Sequence, residues 1–245
     1  MELIYDKIFF NQGKNILFQL SDFKPFFYAD EKEEELEIKQ EKKLTKTYYQ
    51  PKQRDSLFWC FYICAYGFDE YNCIQRNYGV REIEIKQQGE QYVKNNYKEL
   101  KESNIKMTKS LMQDIMSDFN TNIDNTNFYN FFALCFMKKI NIYILHEEKS
   151  CYLSFFYHKD SPYFLVKQER FNKYSLQLEP MLLNEVIEIE SKYYCLESWL
   201  KPIKAISNYK VTDLQEIAYR MELEDIPNMK KQELYDYIYD SLSWY

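Results

Sequence analysis

Gln53-Arg54-Asp55-Ser56-Leu57-Phe58-Trp59-Cys60-Phe61-Tyr62-Ile63-Cys64-Ala65-Tyr66-Gly67 is the stretch on which the fold turns. Asp55 or Ser56 can accept from the free N–H groups of a first helical turn, and Gly67 suits the left-handed conformation that stops a helix. Between those ends the residues are apolar on every side. A helix of that kind must be covered all round by its own domain. It is therefore predicted to be the central helix, with Trp59 and Cys60 buried.

Working outward, Val80 to Ile85 leads into a long, half-exposed helix reaching about Glu102 and carrying Tyr92, Val93, Tyr97 and Leu100. Leu111, Met112, Ile115 and Phe119 repeat at helical spacing and predict a second cover helix. Thr126 is the expected cap of a helix over Asn127–Lys138, whose Phe128, Phe131, Phe132, Leu134 and Phe136 are too apolar for a surface position. Four strand-like segments follow: Ile140–Leu145, Cys151–Tyr157, Tyr163–Lys167 and Tyr174–Leu178. Turns as short as Lys159-Asp160-Ser161-Pro162 predict an antiparallel meander, so the domain over 51–202 reads as α+β. Upstream, residues 1–50 read as an N-terminal arm and charged linker: short apolar runs around Gln12-Gly13, then the charge run Asp30–Lys43. Pro202 marks a boundary before a small all-α module over 203–245.

The composition excludes several classes. A net charge of −6 over 245 residues speaks against a generally basic nucleic-acid coat, so any phosphate contact must be local. Six cysteines with no C-x-x-C spacing and no signal-peptide pattern suggest reduced thiols in a cytoplasmic setting. The longest apolar run falls short of the roughly 18–20 residues that cross a bilayer, so no membrane span is expected. Without a Gly-rich phosphate loop or paired Cys/His spacings, neither cofactor nor metal is expected. Abundant Lys, Asn, Ile, Tyr and Phe match an AT-rich coding sequence.

A buried central helix, further helices and then strands ending in an aromatic segment resemble the papain-like superfamily, particularly its ovarian-tumour (OTU) deubiquitinase branch. That family starts its central helix with Asp-Gly-x-Cys-Leu-Phe and carries His-Tyr-Asn or His-Tyr-Asp on a late strand. Here the matching segments are Asp55-Ser56-Leu57-Phe58 and Lys173-Tyr174-Ser175. Aligning Leu-Phe puts Ser56 at the nucleophile, aligning the Asp puts Phe58 there, and Lys173 stands in place of the base. The resemblance spans about 53–178 and implies the fold, with the usual catalytic pair replaced.

Two other arrangements remain open for catalysis. Cys60 lies one turn beyond Ser56 on the same face, outside the first turn whose N–H groups lower a thiol pKa, so it reads as core together with Cys64, Cys135 and Cys195. With two histidines in the chain, His146 and His158, a hydrolase would use Ser56 or Cys60 with His158, oriented by Asp160. His158-Lys159-Asp160 reads equally as turn chemistry, and Glu147-Glu148 and Glu33-Glu34-Glu35 as solvated charge.

In the C-terminal module, Val211, Leu214, Ile217, Ala218 and Met221 form one apolar helix face, and Leu234 with Ile238 continues on a second helix. Val-Thr-Asp-Leu, the Met221-Glu222-Leu223 turn and Met229-Lys230-Lys231-Gln232-Glu233-Leu234 resemble the Rho N-terminal and SAP-like helical modules over about 206–242. Glu222 stands where that family prefers glycine. The likeness implies DNA or RNA contact through Lys210, Arg220, Lys230 and Lys231. Yet residues 203–245 hold five cations against eight carboxylates, a net of −3, which suits a protein partner equally.

The pairing of Asp-Ser-Leu-Phe-Trp-Cys-Phe with this C terminus is also similar to uncharacterised proteins of large cytoplasmic DNA viruses. Together these likenesses imply a non-catalytic binding protein of host cytoplasm, viral factory or virion. Its partner would be nucleic acid, a viral protein or a ubiquitin-like protein. An active thiol or serine hydrolase and a structural virion component are the alternatives.

Overall fold

The fold is assembled around α1, Ser56–Tyr66, whose residues from Ser56 to Cys64 are all buried. The computed structural model describes residues 46–245 apart from 104, 106, 122–124, 224, 225, 227, 228 and 245. The arm and charge run expected before residue 46 lie outside the described residues. Both ends of α1 fall where expected, but Gly67 does not take the left-handed helical conformation expected of it. The Phe58 N–H donates to Asp55 Oδ1 at 3.1 Å, and Gly67 adopts φ 93° and ψ 157°, an extended positive-φ state outside the left-handed helical well. A Cβ at Gly67 would meet no atom within 4 Å, so its backbone angles, and no neighbour, call for glycine there. The chain then turns directly into α2, Phe68–Cys73.

Four more helices precede the central strands of the sheet. α3, Tyr78–Asn95, begins before the Val80–Ile85 segment and includes it. It stops at Asn96, whose side-chain amide donates to the Tyr92 carbonyl at 2.9 Å, and short α4, Tyr97–Lys101, follows. The single long helix to Glu102 is thus two. α5, Lys109–Thr121, buries Met112, Ile115 and Phe119 as its spacing predicts. α6, Phe128–Lys138, is buried from Phe128 to Phe136 save Tyr129. Its cap is Asn127, which accepts from the Asn130 N–H at 2.9 Å, and not Thr126, which is drawn away to Asp55. Gly89 sets how near α3, α5 and α6 come: a Cβ there would sit 3.0 Å from Leu134 and from the Phe119 ring.

The sheet has six strands: β1 Tyr48–Tyr49, β2 Asn141–His146, β3 Cys151–Phe155, β4 Tyr163–Glu169, β5 Lys173–Gln177 and β6 Tyr194–Cys195. All four strand-like segments of the sequence are strands, and the mixture of helices with this sheet agrees with α+β. The antiparallel meander is overturned. The order is β1-β5-β4-β2-β3-β6, with β2 parallel to β4 and β3 parallel to β6. After the β2–β3 hairpin, residues 156–162 pass round the foot of β2, so that β4 pairs on its other side.

Asn141, fully buried at the start of β2, holds that crossing. Its Nδ2 donates to the carbonyls of His158 and Ser161 at 2.7 and 3.1 Å. Its Oδ1 accepts from the N–H groups of Tyr157 and His158 at 2.7 and 3.2 Å. All four hydrogen-bonding valences of one amide are therefore used on a loop that must leave the sheet plane. A short polar turn predicts a hairpin only when nothing fixes it elsewhere.

α1 and α6 lie in the core on one sheet face, while α7, Leu183–Lys192, packs Val186 and Ile189 on Tyr143, Leu145, Tyr152 and Leu165 of the other. The chain ends in the helical pair α8, Val211–Arg220, and α9, Lys231–Leu242. Leu214, Ala218, Leu234, Ile238 and Leu242 are buried in the pair. Trp244 is only 2% exposed, with its indole 5.6 Å from the ring of Phe128, so the pair's apolar side is continuous with the main core.

Replacing Asn141 by Ala removes the partner of four backbone groups of the crossing loop and empties a fully buried position. We expect a loss of at least about 3 kcal/mol in stability, read as a lowered urea midpoint. An unchanged midpoint would show that the crossing is held by other contacts.

Candidate functional site

The N-terminal end of α1 meets the start of β5. Across 118 residues of sequence, the Tyr174 N–H donates to Ser56 Oγ at 3.0 Å, and Lys173 Nζ donates to the Arg54 carbonyl at 3.0 Å. The segments Asp55-Ser56-Leu57-Phe58 and Lys173-Tyr174-Ser175, paired in the sequence reading, are therefore adjacent in space. Their chemistry is structural. Ser56 is 1% exposed, and its hydroxyl accepts from the backbone of β5, the strand that β1 covers only at Leu176 and Gln177. Lys173 turns its ammonium to a carbonyl and makes no bond with the Ser56 hydroxyl.

Beside Ser56, the Asp55 carboxylate is fully committed. Oδ1 takes the Phe58 N–H, and Oδ2 takes both the N–H and the hydroxyl of Thr126 at 2.7 Å. Lys86 of α3, 4% exposed, reaches Oδ2 at 3.7 Å and Glu82 at 2.6 Å. Sequence reasoning missed this cluster, although Glu82 and Lys86 stand at i, i+4 on a helix otherwise read as cover.

Three of the four cysteines expected in the core are there: all six are unpaired, Cys60, Cys64 and Cys135 are buried with Cys151, but Cys195, expected as core, is exposed on the two-residue edge strand β6. Burial pushes the Cys60, Cys64 and Cys135 thiols well above their ordinary range, and the neighbouring Cys64 and Asp55 add to the rise at Cys60. A thiol in that setting supplies almost no thiolate at neutral pH.

Neither imidazole is hydrogen-bonded to Ser56 or Cys60. His158 lies at the surface, its side chain 57% exposed, with Nδ1 3.4 Å from the Asp160 carboxylate and accepting from the Asp160 N–H at 3.3 Å. The predicted His158–Asp160 pairing thus exists, but as part of the turn around Asn141. A cleft of about 820 Å³ is lined by His158 and Asp160 with Glu99, Lys139 and Tyr157; neither Ser56 nor Cys60 lines it. His146 presents its ring edge to Trp244 at 5.6 Å, and burial, helped by Lys149, holds it below its usual pKa.

The four basic residues predicted to contact nucleic acid are not gathered into one site. Lys210 and Arg220 stand at opposite ends of α8. The Lys210 N–H donates to Asp213 at 2.7 Å and the Lys230 N–H to Glu233 at 3.0 Å, so each helix start already carries a carboxylate. Arg220 donates to the Glu190 carbonyl of α7. The hydroxyls of Tyr235 and Tyr239 donate to the carbonyls of Lys204 and Leu200, which ties the preceding segment to α9. Glu222, where the resembled module prefers glycine, has φ 57°.

Among the described residues, no group of three or more His, Cys, Asp or Glu side chains is placed to hold a metal, and no helix is long and apolar enough to cross a membrane. Comparison with protein-family models, curated proteins and solved structures returns no match.

Two outcomes follow from the geometry. Ser56→Ala removes the acceptor of a buried N–H and is expected to destabilise the protein by about 1–3 kcal/mol, measured by denaturant unfolding. A hydroxyl held free for catalysis would be lost at no such cost. Glu222→Gly relieves a left-handed backbone at a residue with a Cβ, and should raise stability by about 1 kcal/mol in the same measurement.

Proposed function

We propose that this chain is a non-catalytic binding protein on an OTU-like, papain-like framework, in which the nucleophile position has become part of the fold. The observation that carries the reading is the buried Ser56 hydroxyl engaged by the Tyr174 N–H, with Lys173 where a base would stand. A nucleophile needs an open face and a general base within about 3 Å. Ser56 has neither, and Cys60 sits one turn deeper with a raised pKa.

The α8–α9 pair supplies a docking element in this reading, toward nucleic acid or toward a protein of viral replication or the virion. Asp213 and Glu233 at its helix starts, with the net charge of −3 over 203–245, favour a protein over a phosphate backbone at that element. In the same reading, the likeness to proteins of large cytoplasmic DNA viruses suggests host cytoplasm, viral factory or virion as its setting.

The test is covalent labelling. A ubiquitin probe with a C-terminal electrophile, and separately a fluorophosphonate, are incubated with the protein at neutral and mildly alkaline pH and followed by intact mass. No adduct is expected. An adduct mapped to Ser56 or Cys60 and abolished by His158→Ala would replace this reading with an active hydrolase.

A further inference from the structure

The β4–β5 hairpin turns through Arg170, Phe171 and Asn172. Phe171 is 95% exposed, more than any other large apolar side chain among the described residues. Its backbone lies at φ 60°, ψ 35°, and Asn172 follows at φ 54°. Two successive left-handed residues suit asparagine or glycine, and a phenylalanine there is an outlier. Neither burial nor turn chemistry accounts for the ring.

The tip is braced. Gln168 Nε2 donates to Asn172 Oδ1 at 3.4 Å, Ser175 Oγ donates to Glu169 at 2.6 Å, and Lys173 ties the hairpin to Arg54 at the head of α1. Cations flank the ring in sequence. Arg170 has an 84% exposed side chain, 3.9 Å from Glu148, and Lys173 follows Asn172 with its ammonium donating to the Arg54 carbonyl. Glu169 accepts from the Ser175 hydroxyl and keeps its charge beside the tip, and Glu148 stands 3.9 Å from Arg170, so phosphate would compete with Glu148 for that guanidinium.

We propose that this tip binds single-stranded nucleic acid, with Phe171 stacking on one base and Arg170 and Lys173 meeting the adjacent phosphates. A ring standing in water offers a π-face to any base, and the cations beside it suit the backbone. A protein partner would need a contiguous apolar patch around the ring, whereas Arg170, Asn172 and Lys173 are all polar. The inference rests on reading the chain as a binding protein, but it moves the nucleic-acid contact away from α8–α9.

The test uses fluorescein-labelled oligothymidylate and oligouridylate of about 12 nucleotides, followed by anisotropy across a salt series. The full chain is expected to bind both weakly, and to prefer them to a duplex of the same length. Phe171→Ala and Phe171→Asn should each weaken binding by about 10-fold with the salt slope unchanged, as for one lost stacking contact. Arg170→Glu should instead reduce that slope by about one or more. Phe171→Asn should also melt no lower than the parent, because asparagine tolerates the left-handed turn. Equal binding by the parent and Phe171→Ala would overturn the proposal, as would no preference for single strands. So would loss of binding in Lys230→Glu/Lys231→Glu with none in Phe171→Ala, which would return the contact to α9. Adduct formation with the activity probes bears on the non-catalytic reading alone and leaves these outcomes as they are.

Discussion

The buried carboxylate of Asp55 is the junction on which the helical half of this protein depends. One oxygen satisfies the first turn of α1, and the other holds the N–H and hydroxyl of Thr126 at the entry to α6. The same oxygen faces the ammonium of Lys86, whose charge is completed by Glu82 and which lies 5.5 Å from the centre of the Phe58 ring. A carboxylate and an ammonium at about 4% exposure are tolerable only together, because removing either leaves the other charged in an apolar surrounding. α1, α3 and α6 are thereby fixed against one another at a single point. The apolar contacts along their lengths fill the space that this junction defines.

The sheet has its own polar organiser in Asn141. Hydrophobic burial on both faces favours some order of strands, but it does not say which edge of β2 receives β4. The amide, itself fully buried, decides this by bonding four backbone groups of the crossing loop. One buried polar side chain in each half of the domain thus carries specificity, while the aromatic core supplies bulk stabilisation.

These demands meet at the head of α1. Asp55 is consumed by packing, Ser56 by the edge of β5, and Lys173 by the carbonyl of Arg54. Groups bound this way rigidify the junction and leave none of them available for proton transfer. The exposed chemistry at this end of the molecule lies just beyond, on the hairpin tip, where Phe171 and Arg170 stand in solvent.

The sequence by itself determined what is encoded within a turn or two of chain: both ends of α1 at Asp55 and Gly67, the buried α6, the spans of β2 to β5, and the amphipathic pair α8–α9. Caps, apolar periodicity and β-branched or aromatic runs act over neighbouring residues, so they can be read in order. The candidate site was legible only as two fragments of sequence, and their adjacency, Ser56 to Tyr174 across 118 residues, came from the folded chain, which uses the serine as a hydrogen-bond acceptor. Tertiary structure alone decided the rest. Whether β4 follows β3 or crosses to β2 depends on contacts that Asn141 makes 16 to 20 residues away, and the fate of Thr126 depends on a carboxylate 71 residues away. A local signal names a good cap or a good turn; only the folded chain shows which competing partner arrives first in space and takes its hydrogen bonds.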